Sequence, residues 1–304
     1  MNAAVIGSRP RPSRRAAITT AIAGLGVALA GASFANLPAR LAPRRLAAGA
    51  KWAIFYGADA DTTGWGDYDI MVLDPNFSRP LAPLKQAGST LLGYLSLGEI
   101  NRSGPYFSAL ASHDGLLEEN SNWPDSVRVD VRDPAWRSLV LKVATPRLLA
   151  QGFDGLFLDT LDSPAHLEET EPQRYRGMRR AAVSLVRAIR RAHPRIPIMM
   201  NRGYALLPDL VDSIDAVLAE SMVSSYDFAA KTYTSVPEDV ISRQIEMLRP
   251  ARAAVRPLPV FSLDYCNADD ADSRRAIYAR ERALGHTPYV GTILLDQLIP
   301  EPVG

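Results

Sequence analysis

The stretch Gly152-Phe153-Asp154-Gly155-Leu156-Phe157-Leu158-Asp159-Thr160-Leu161-Asp162 decides how the rest of the chain is read. Glycine and aspartate turn signals lead into a short apolar run that ends in a carboxylate. A run of this length without alternation fits a parallel strand covered on both faces. In sheets of that kind, ligands collect at the carboxyl ends of the strands, so Asp159 sits where chemistry would be placed. Taken alone, the plainer reading is a turn or helix-cap aspartate. Recurrence of the pattern elsewhere reverses that order.

Outward from this stretch, apolar runs end in polar residues again and again. Residues 52–57 and 69–75 are the first two, the second reaching Asp74. Residues 91–97 run into Gly98-Glu99, 196–200 into Asn201, 216–219 into Glu220, 258–263 into Asp264 and 289–295 into Asp296. Helical patterns at 81–86, 134–150, 173–192, 238–248 and 271–284 separate most of them, and Asp133-Pro134 reads as a helix start. Eight alternating units without a second composition break predict an α/β fold, a single-domain (β/α)8 TIM barrel. The long connection from 100 to 127 carries Tyr106, Phe107, His113 and Trp123, which either line a sugar cleft or pack the loop down. Val127, Val129 and Val131 alternate with charged residues and predict an accessory strand.

Of 304 residues, 47% are hydrophobic and 22% charged, as in soluble globular proteins. Cys266 is the single cysteine, which excludes an intramolecular disulfide and a cysteine metal cluster; a passive, packed thiol is the expectation. His113, His166, His193 and His286 are scattered without metal-ligand spacing, so no metal centre and no cofactor are expected. Residues 1–35 pair Arg9, Arg11, Arg14 and Arg15 with an apolar Ala/Gly-rich run and a small-residue Ser33-Phe34-Ala35 site, the pattern of a cleaved export signal of twin-arginine type. The domain reading is therefore export signal 1–35, linker 36–50 and barrel 51–304. It implies a periplasmic or secreted bacterial protein with no stable membrane association after cleavage. Without the first 35 residues, 30 basic side chains face 33 acidic ones, and nothing suggests nucleic-acid binding. A monomer is expected.

On a barrel, Asp74, Glu99, Asp159, Asn201, Glu220, Asp264 and Asp296 all belong to one rim. Caps alone would distribute such residues over both ends. Carboxylates without histidine ligands or a phosphate loop suit glycoside hydrolysis, which needs one ionised and one protonated carboxyl group. Chemistry through Mg²⁺ or Ca²⁺ on the same aspartates stays open. Asp159 and Glu220, two strands apart, have backbones about 9.6 Å apart. Side chains leaning inward bring the carboxyl groups toward the ~5–5.5 Å of a retaining mechanism. Polar neighbours favour an ionised nucleophile at Asp159; an apolar lead-in favours Glu220 as proton donor.

Gly93-Tyr94-Leu95-Ser96-Leu97-Gly98-Glu99, Val129-Asp130-Val131-Arg132-Asp133-Pro134-Ala135-Trp136-Arg137, residues 152–162 and Asn201-Arg202-Gly203 together resemble glycoside hydrolase family 114, over about residues 50–298. That family contains endo-α-1,4-polygalactosaminidases. The resemblance implies a TIM barrel, endo cleavage of an α-linked galactosamine-type exopolysaccharide, and a catalytic pair matching Asp159 and Glu220. Tyr56, Asp74, Tyr94, Glu99, Asn201, Asp264 and Asp296 are the expected substrate-binding residues. A rim with Asp59, Asp61, Asp74, Glu99, Asp162, Asp264 and Asp296 would attract a cationic aminosugar polymer. The competing classes are a non-catalytic carbohydrate-binding barrel of an exopolysaccharide system and a metal-dependent hydrolase on the same scaffold.

Overall fold

In the computed structural model, residues 46–303 are described, apart from Ser112 and Asp114. The expected export signal at 1–35 lies outside the described residues, as does the linker up to residue 45. Within them, no helix is long and apolar enough to cross a membrane.

The barrel strands are β1 (Trp52–Phe55), β2 (Ile70–Leu73), β3 (Thr90–Ser96), β7 (Gly155–Asp159), β8 (Ile198–Asn201), β9 (Ala216–Glu220), β12 (Val260–Tyr265) and β13 (Thr287–Gly291). They form one sheet in that order, every neighbouring pair parallel. Helices alternate with the strands and the sheet curls into a nearly closed TIM barrel. β1 and β2 are apolar and buried throughout, as expected for strands covered on both faces. Gly155 opens β7 for a local reason: a Cβ there would lie 2.1 Å from the Pro197 carbonyl oxygen. Only glycine lets the strand enter beside β8.

Among the described residues no backbone ladder joins β1 to β13. The seam is held instead by Trp52 Nε1 donating to Thr287 O at 2.9 Å, Gly49 N–H to Thr287 Oγ1 at 2.8 Å and Tyr56 N–H to Leu295 O at 2.7 Å. Trp52 also meets the rings of Phe261 and Tyr289, each at 5.6 Å. Leu46, just ahead of the seam, is buried in the core.

Two inserts rise from the carboxyl ends of strands. After β3, the strands β4 (Glu99–Asn101), β5 (Leu116–Glu119) and β6 (Ser126–Val129) form an antiparallel sheet in the order β4-β6-β5, so the valine-rich piece is indeed an accessory strand. After β9, β10 (Ser224–Asp227) and β11 (Thr232–Ser235) form a hairpin.

Local departures from the sequence expectation have local causes. Asp133 does cap its helix, accepting from Ala135 N–H at 2.7 Å. The helix then widens to a π turn over Val140–Ala144 before continuing as Thr145–Gln151. Pro146 has no N–H for the carbonyl one turn back, and the change of register precedes it. The arginine-rich helix starts at Met178, not near 173, because Gly177 is left-handed and Glu168 takes the Gly177 and Arg179 N–H groups. The extra helix Asp162–Thr170 lies directly after β7.

Candidate active site

The carboxyl ends of β3, β7, β8, β9 and β12 open into a cavity of about 1180 Å³. Asp159, Asn201 and Glu220 close β7, β8 and β9 respectively. The Asn201 side-chain amide nitrogen donates to Asp159 Oδ1 at 2.9 Å and to Glu220 Oε2 at 2.7 Å. Two carboxylate acceptors leave no choice of amide orientation, because only the NH2 end can serve both. The Asn201 oxygen is therefore turned away from the pair, and it is buried without a donor. The outer oxygens of the two acids are held by tyrosines. Tyr94 donates to Asp159 Oδ2 at 2.8 Å, and Tyr265 donates to Glu220 Oε1 at 2.6 Å. Tyr56 packs edge-on against Tyr94, with ring centroids 5.0 Å apart.

Burial raises the Asp159 carboxyl group, and the adjacent Glu220 charge raises it further, to about 6; hydrogen bonds from Asn201, Tyr94 and the Thr160 backbone act in the opposite direction. Burial thus outweighs the polar neighbours from which an ionised Asp159 is expected. At neutral pH the group is still mostly ionised. The same burial and the same charges hold the Tyr56, Tyr94 and Tyr265 phenols well above their ordinary value, so they remain donors.

The backbone just beyond each of these three strands is unusual. Thr160, Arg202 and Ser221 have φ of 61°, 48° and 55°, a region sparsely used by non-glycine residues and concentrated at functional sites. Thr160 ties β7 back to β3. Its hydroxyl meets Ser96 Oγ at 2.8 Å and accepts from Gly98 N–H at 2.7 Å. A Cβ on Gly98 would lie 2.2 Å from Thr160 O, so this approach requires glycine.

Of the expected substrate-binding residues, Tyr56, Asp74, Tyr94, Glu99 and Asn201 line the cavity. Asp74 is partly buried, which raises its carboxyl, and one of its oxygens accepts from Asn76 N–H. Glu99 is buried and fully engaged. It accepts from Ser126 Oγ at 2.6 Å, Ser163 Oγ at 2.8 Å and Asn120 Nδ2 at 3.1 Å, fastening the β4–β6 sheet to the barrel. Asp162 also lines the cavity, 3.7 Å from Arg202.

Asp264 and Asp296 are not at the rim, which corrects the sequence expectation. β13 ends at Gly291 and residues 292–295 turn over, Leu295 at φ 51°, leaving Asp296 exposed outside the cavity. β12 runs on to Tyr265, and side chains on a strand alternate. Tyr265 therefore faces the cavity while Asp264 points behind the barrel wall, fully buried. There Asp264 accepts from Val223 and Ser224 N–H at 2.8 and 2.7 Å, fixing the chain that follows Glu220. Burial and then Glu281 push the Asp264 carboxyl well up. Glu281 also bonds His286 Nδ1 at 2.6 Å, and His286 Nε2 faces Arg252 at 2.8 Å. Arginine only donates, so the histidine proton sits on Nδ1.

A folded-state pKa above the unfolded one gives stability that is lost as pH rises through the folded value. Asp264→Asn, which keeps the acceptor for Val223 and Ser224 and cannot ionise, should therefore flatten the decline in Tm as pH rises above the ordinary carboxylate range. Asp264→Ala should cost about 1–3 kcal/mol by stranding two N–H groups. Thermal melts across pH check both; an unchanged slope of Tm against pH in the Asn variant would show that burial of Asp264 does not shift its ionisation. Among the described residues, no cluster of three or more His, Cys, Asp or Glu is arranged to hold a metal ion.

The sequence model of glycoside-hydrolase family GH114 matches residues 33–302. The glycoside hydrolase domain of PelA from Pseudomonas aeruginosa is 32% identical and superimposes with a TM-score of 0.74, covering 84% of this chain and 99% of that one. Aspergillus fumigatus Ega3, solved in complex with galactosamine, is 16% identical with a TM-score of 0.65, covering 86% of this chain and 98% of that one. At that identity the likeness shows the shared fold. An uncharacterized protein of Deinococcus radiodurans is 29% identical over 244 residues, 76% of this chain and 75% of that protein.

Proposed function

Since the chain belongs to glycoside-hydrolase family GH114, we propose that it is an exported, endo-acting, retaining enzyme that cuts α-linked galactosamine-type polysaccharide with Asp159 and Glu220. One observation carries this reading: a single amide nitrogen touches both carboxylates at the floor of an open cavity. Two oxygens sharing one donor lie no farther apart than the sum of the two bonds. That is compact enough for the ~5–5.5 Å pairing of retaining enzymes.

In this mechanism Asp159 attacks the anomeric carbon as the glycosidic bond breaks, and Glu220 gives its proton to the leaving oxygen. Glu220 then takes a proton from water, whose oxygen displaces Asp159 from the anomeric carbon and releases the sugar. Asn201 holds the acids in register. One observation favours exchanged roles: the carboxyl raised to about 6 belongs to Asp159, which suits a proton donor. Trapping the covalent intermediate with a fluorinated sugar and locating it by mass spectrometry separates the two. A label on Asp159 supports the first assignment, one on Glu220 the second, and hydrolysis with inversion removes both.

The substrate class follows from charge. Five acids (Asp74, Glu99, Asp159, Asp162 and Glu220) line the cavity against Arg128, Arg147 and Arg202, and this excess attracts protonated amino sugars. The galactosamine bound by the fungal neighbour supports the same class. The decisive assay is hydrolysis of partly deacetylated galactosamine polymer. KM should rise several-fold between about 0.01 and 1 M salt, as the screening length falls from ~30 to ~3 Å. Salt-independent KM, or cleavage of neutral glycans in preference, would overturn the aminosugar assignment.

A further inference from the structure

The two inserts meet at a place the reaction does not use. Trp123, in the turn between β5 and β6, and Phe228, in the turn between β10 and β11, have ring centroids 5.1 Å apart at 75°. Tyr226 meets Phe228 at 5.3 Å and 86°. All three residues line the same cavity as Asp159 and Glu220. They are on loops from β3 and β9, three strands apart around the barrel.

Rings set near a right angle form a corner and leave faces open. Trp123 is 44% exposed and Phe228 37%, whereas Trp52, Trp65 and Trp136 are 2%, 6% and 4% exposed. Elsewhere, five aromatic rings are each covered by a lysine or arginine of the protein. Among the described residues, no such cation lies over Trp123, Tyr226 or Phe228. Exposed aromatic surface continuous with a polar cleft marks a binding surface more than a packing one.

We propose that Trp123, Tyr226 and Phe228 form an outer subsite that stacks on an amino-sugar unit some distance along the polymer from the bond being cut. This rests on the proposed function and deepens it by naming how the chain is held. A pyranose presents an apolar C–H face that matches an aromatic face, and its ammonium group is drawn to the negative ring surface. Continuity with the catalytic cavity selects a polysaccharide as the occupant over a separate protein. An enzyme with this subsite gains affinity as the substrate lengthens.

Three of the four tryptophans are buried, so a fluorescence change on ligand binding at the corner reports on Trp123. Galactosamine oligosaccharides of increasing length are titrated into the full protein carrying Glu220→Gln, with and without Trp123→Phe. The longer oligosaccharides should change the emission, and Trp123→Phe should abolish that change while retaining affinity. In otherwise wild-type enzyme, Trp123→Ala and Phe228→Ala should each lose about tenfold more kcat/KM on polymer than on a short aryl glycoside. Equal losses on both substrates, or an emission change that survives Trp123→Phe, would overturn the subsite. If the wild-type enzyme cuts the polymer and Trp123→Ala cuts it equally well, the subsite fails and the proposed function stands. If the polymer changes Trp123 emission and is never cut, the function fails and the subsite stands.

Discussion

Asp159→Asn is expected to lower kcat/KM on the polymer by about 10⁴-fold or more, and Glu220→Gln by about 10²–10⁴-fold. Each amide keeps one oxygen to accept from its tyrosine, Tyr94 or Tyr265, and gives up only the bond from Asn201, so the fold should survive and the loss be chemical. The two losses differ in kind. A substrate with a good leaving group needs little help from a proton donor, so Glu220→Gln should recover much of its rate on an aryl glycoside. Asp159→Asn should not, since no leaving group replaces a nucleophile. The opposite pattern would assign the exchanged roles, and wild-type turnover in both folded variants would remove the pair from catalysis. Stability gives a readout independent of activity. A carboxyl group raised to about 6 favours folding below the ordinary carboxylate range, and that contribution disappears as pH rises from about 4 to 6. Asp159→Asn should therefore lose less stability than the wild type as pH rises from about 4 to 7.

Asn201→Leu is expected to lower kcat/KM by about 10²-fold and to move the acidic limb of its pH profile upward. With Asp159 as nucleophile, wild-type activity falls as pH drops through about 6, where this carboxylate takes up a proton. Asn201 donates to Asp159 and so holds the carboxyl below where burial and Glu220 would place it. Removing the amide takes away that effect and the common anchor of two like charges. The Asp159 midpoint then rises, and less of the enzyme is competent at a given pH. Leucine fills similar volume, which limits the cost in packing. A profile of kcat/KM against pH checks this; a midpoint that stays put or falls would show that Asn201 does not set the ionisation of the pair.

Much of this was legible in the sequence because a barrel repeats its grammar. Apolar runs stopped by Asp159, Asn201 and Glu220 give the strands, the rim and the three residues at the cavity floor. Asp264 shows where that reading stops. A carboxylate near a strand end draws attention, yet the cavity is reached by its neighbour Tyr265, because β12 continues one residue past it and alternation swaps the faces. Counting parity from inward-facing Leu263 would have found the tyrosine. Glu99 was placed correctly in space, but no local pattern tells that Ser126, Ser163 and Asn120 converge on it from three segments. The left-handed backbone at Thr160, Arg202 and Ser221 has no glycine to announce it. The contact between Trp123 and Phe228 depends on inserts whose docking is tertiary.

The seam between β1 and β13 has a consequence for how the molecule comes apart. Side-chain and loop hydrogen bonds replace a ladder there, so amides of these two strands should exchange with deuterated water sooner than those of β7 and β8. Asp159, Asn201 and Glu220, the proposed catalytic cluster, close β7, β8 and β9 on the far staves of the cask. Opening at the join is then expected to leave the proposed catalytic half clenched.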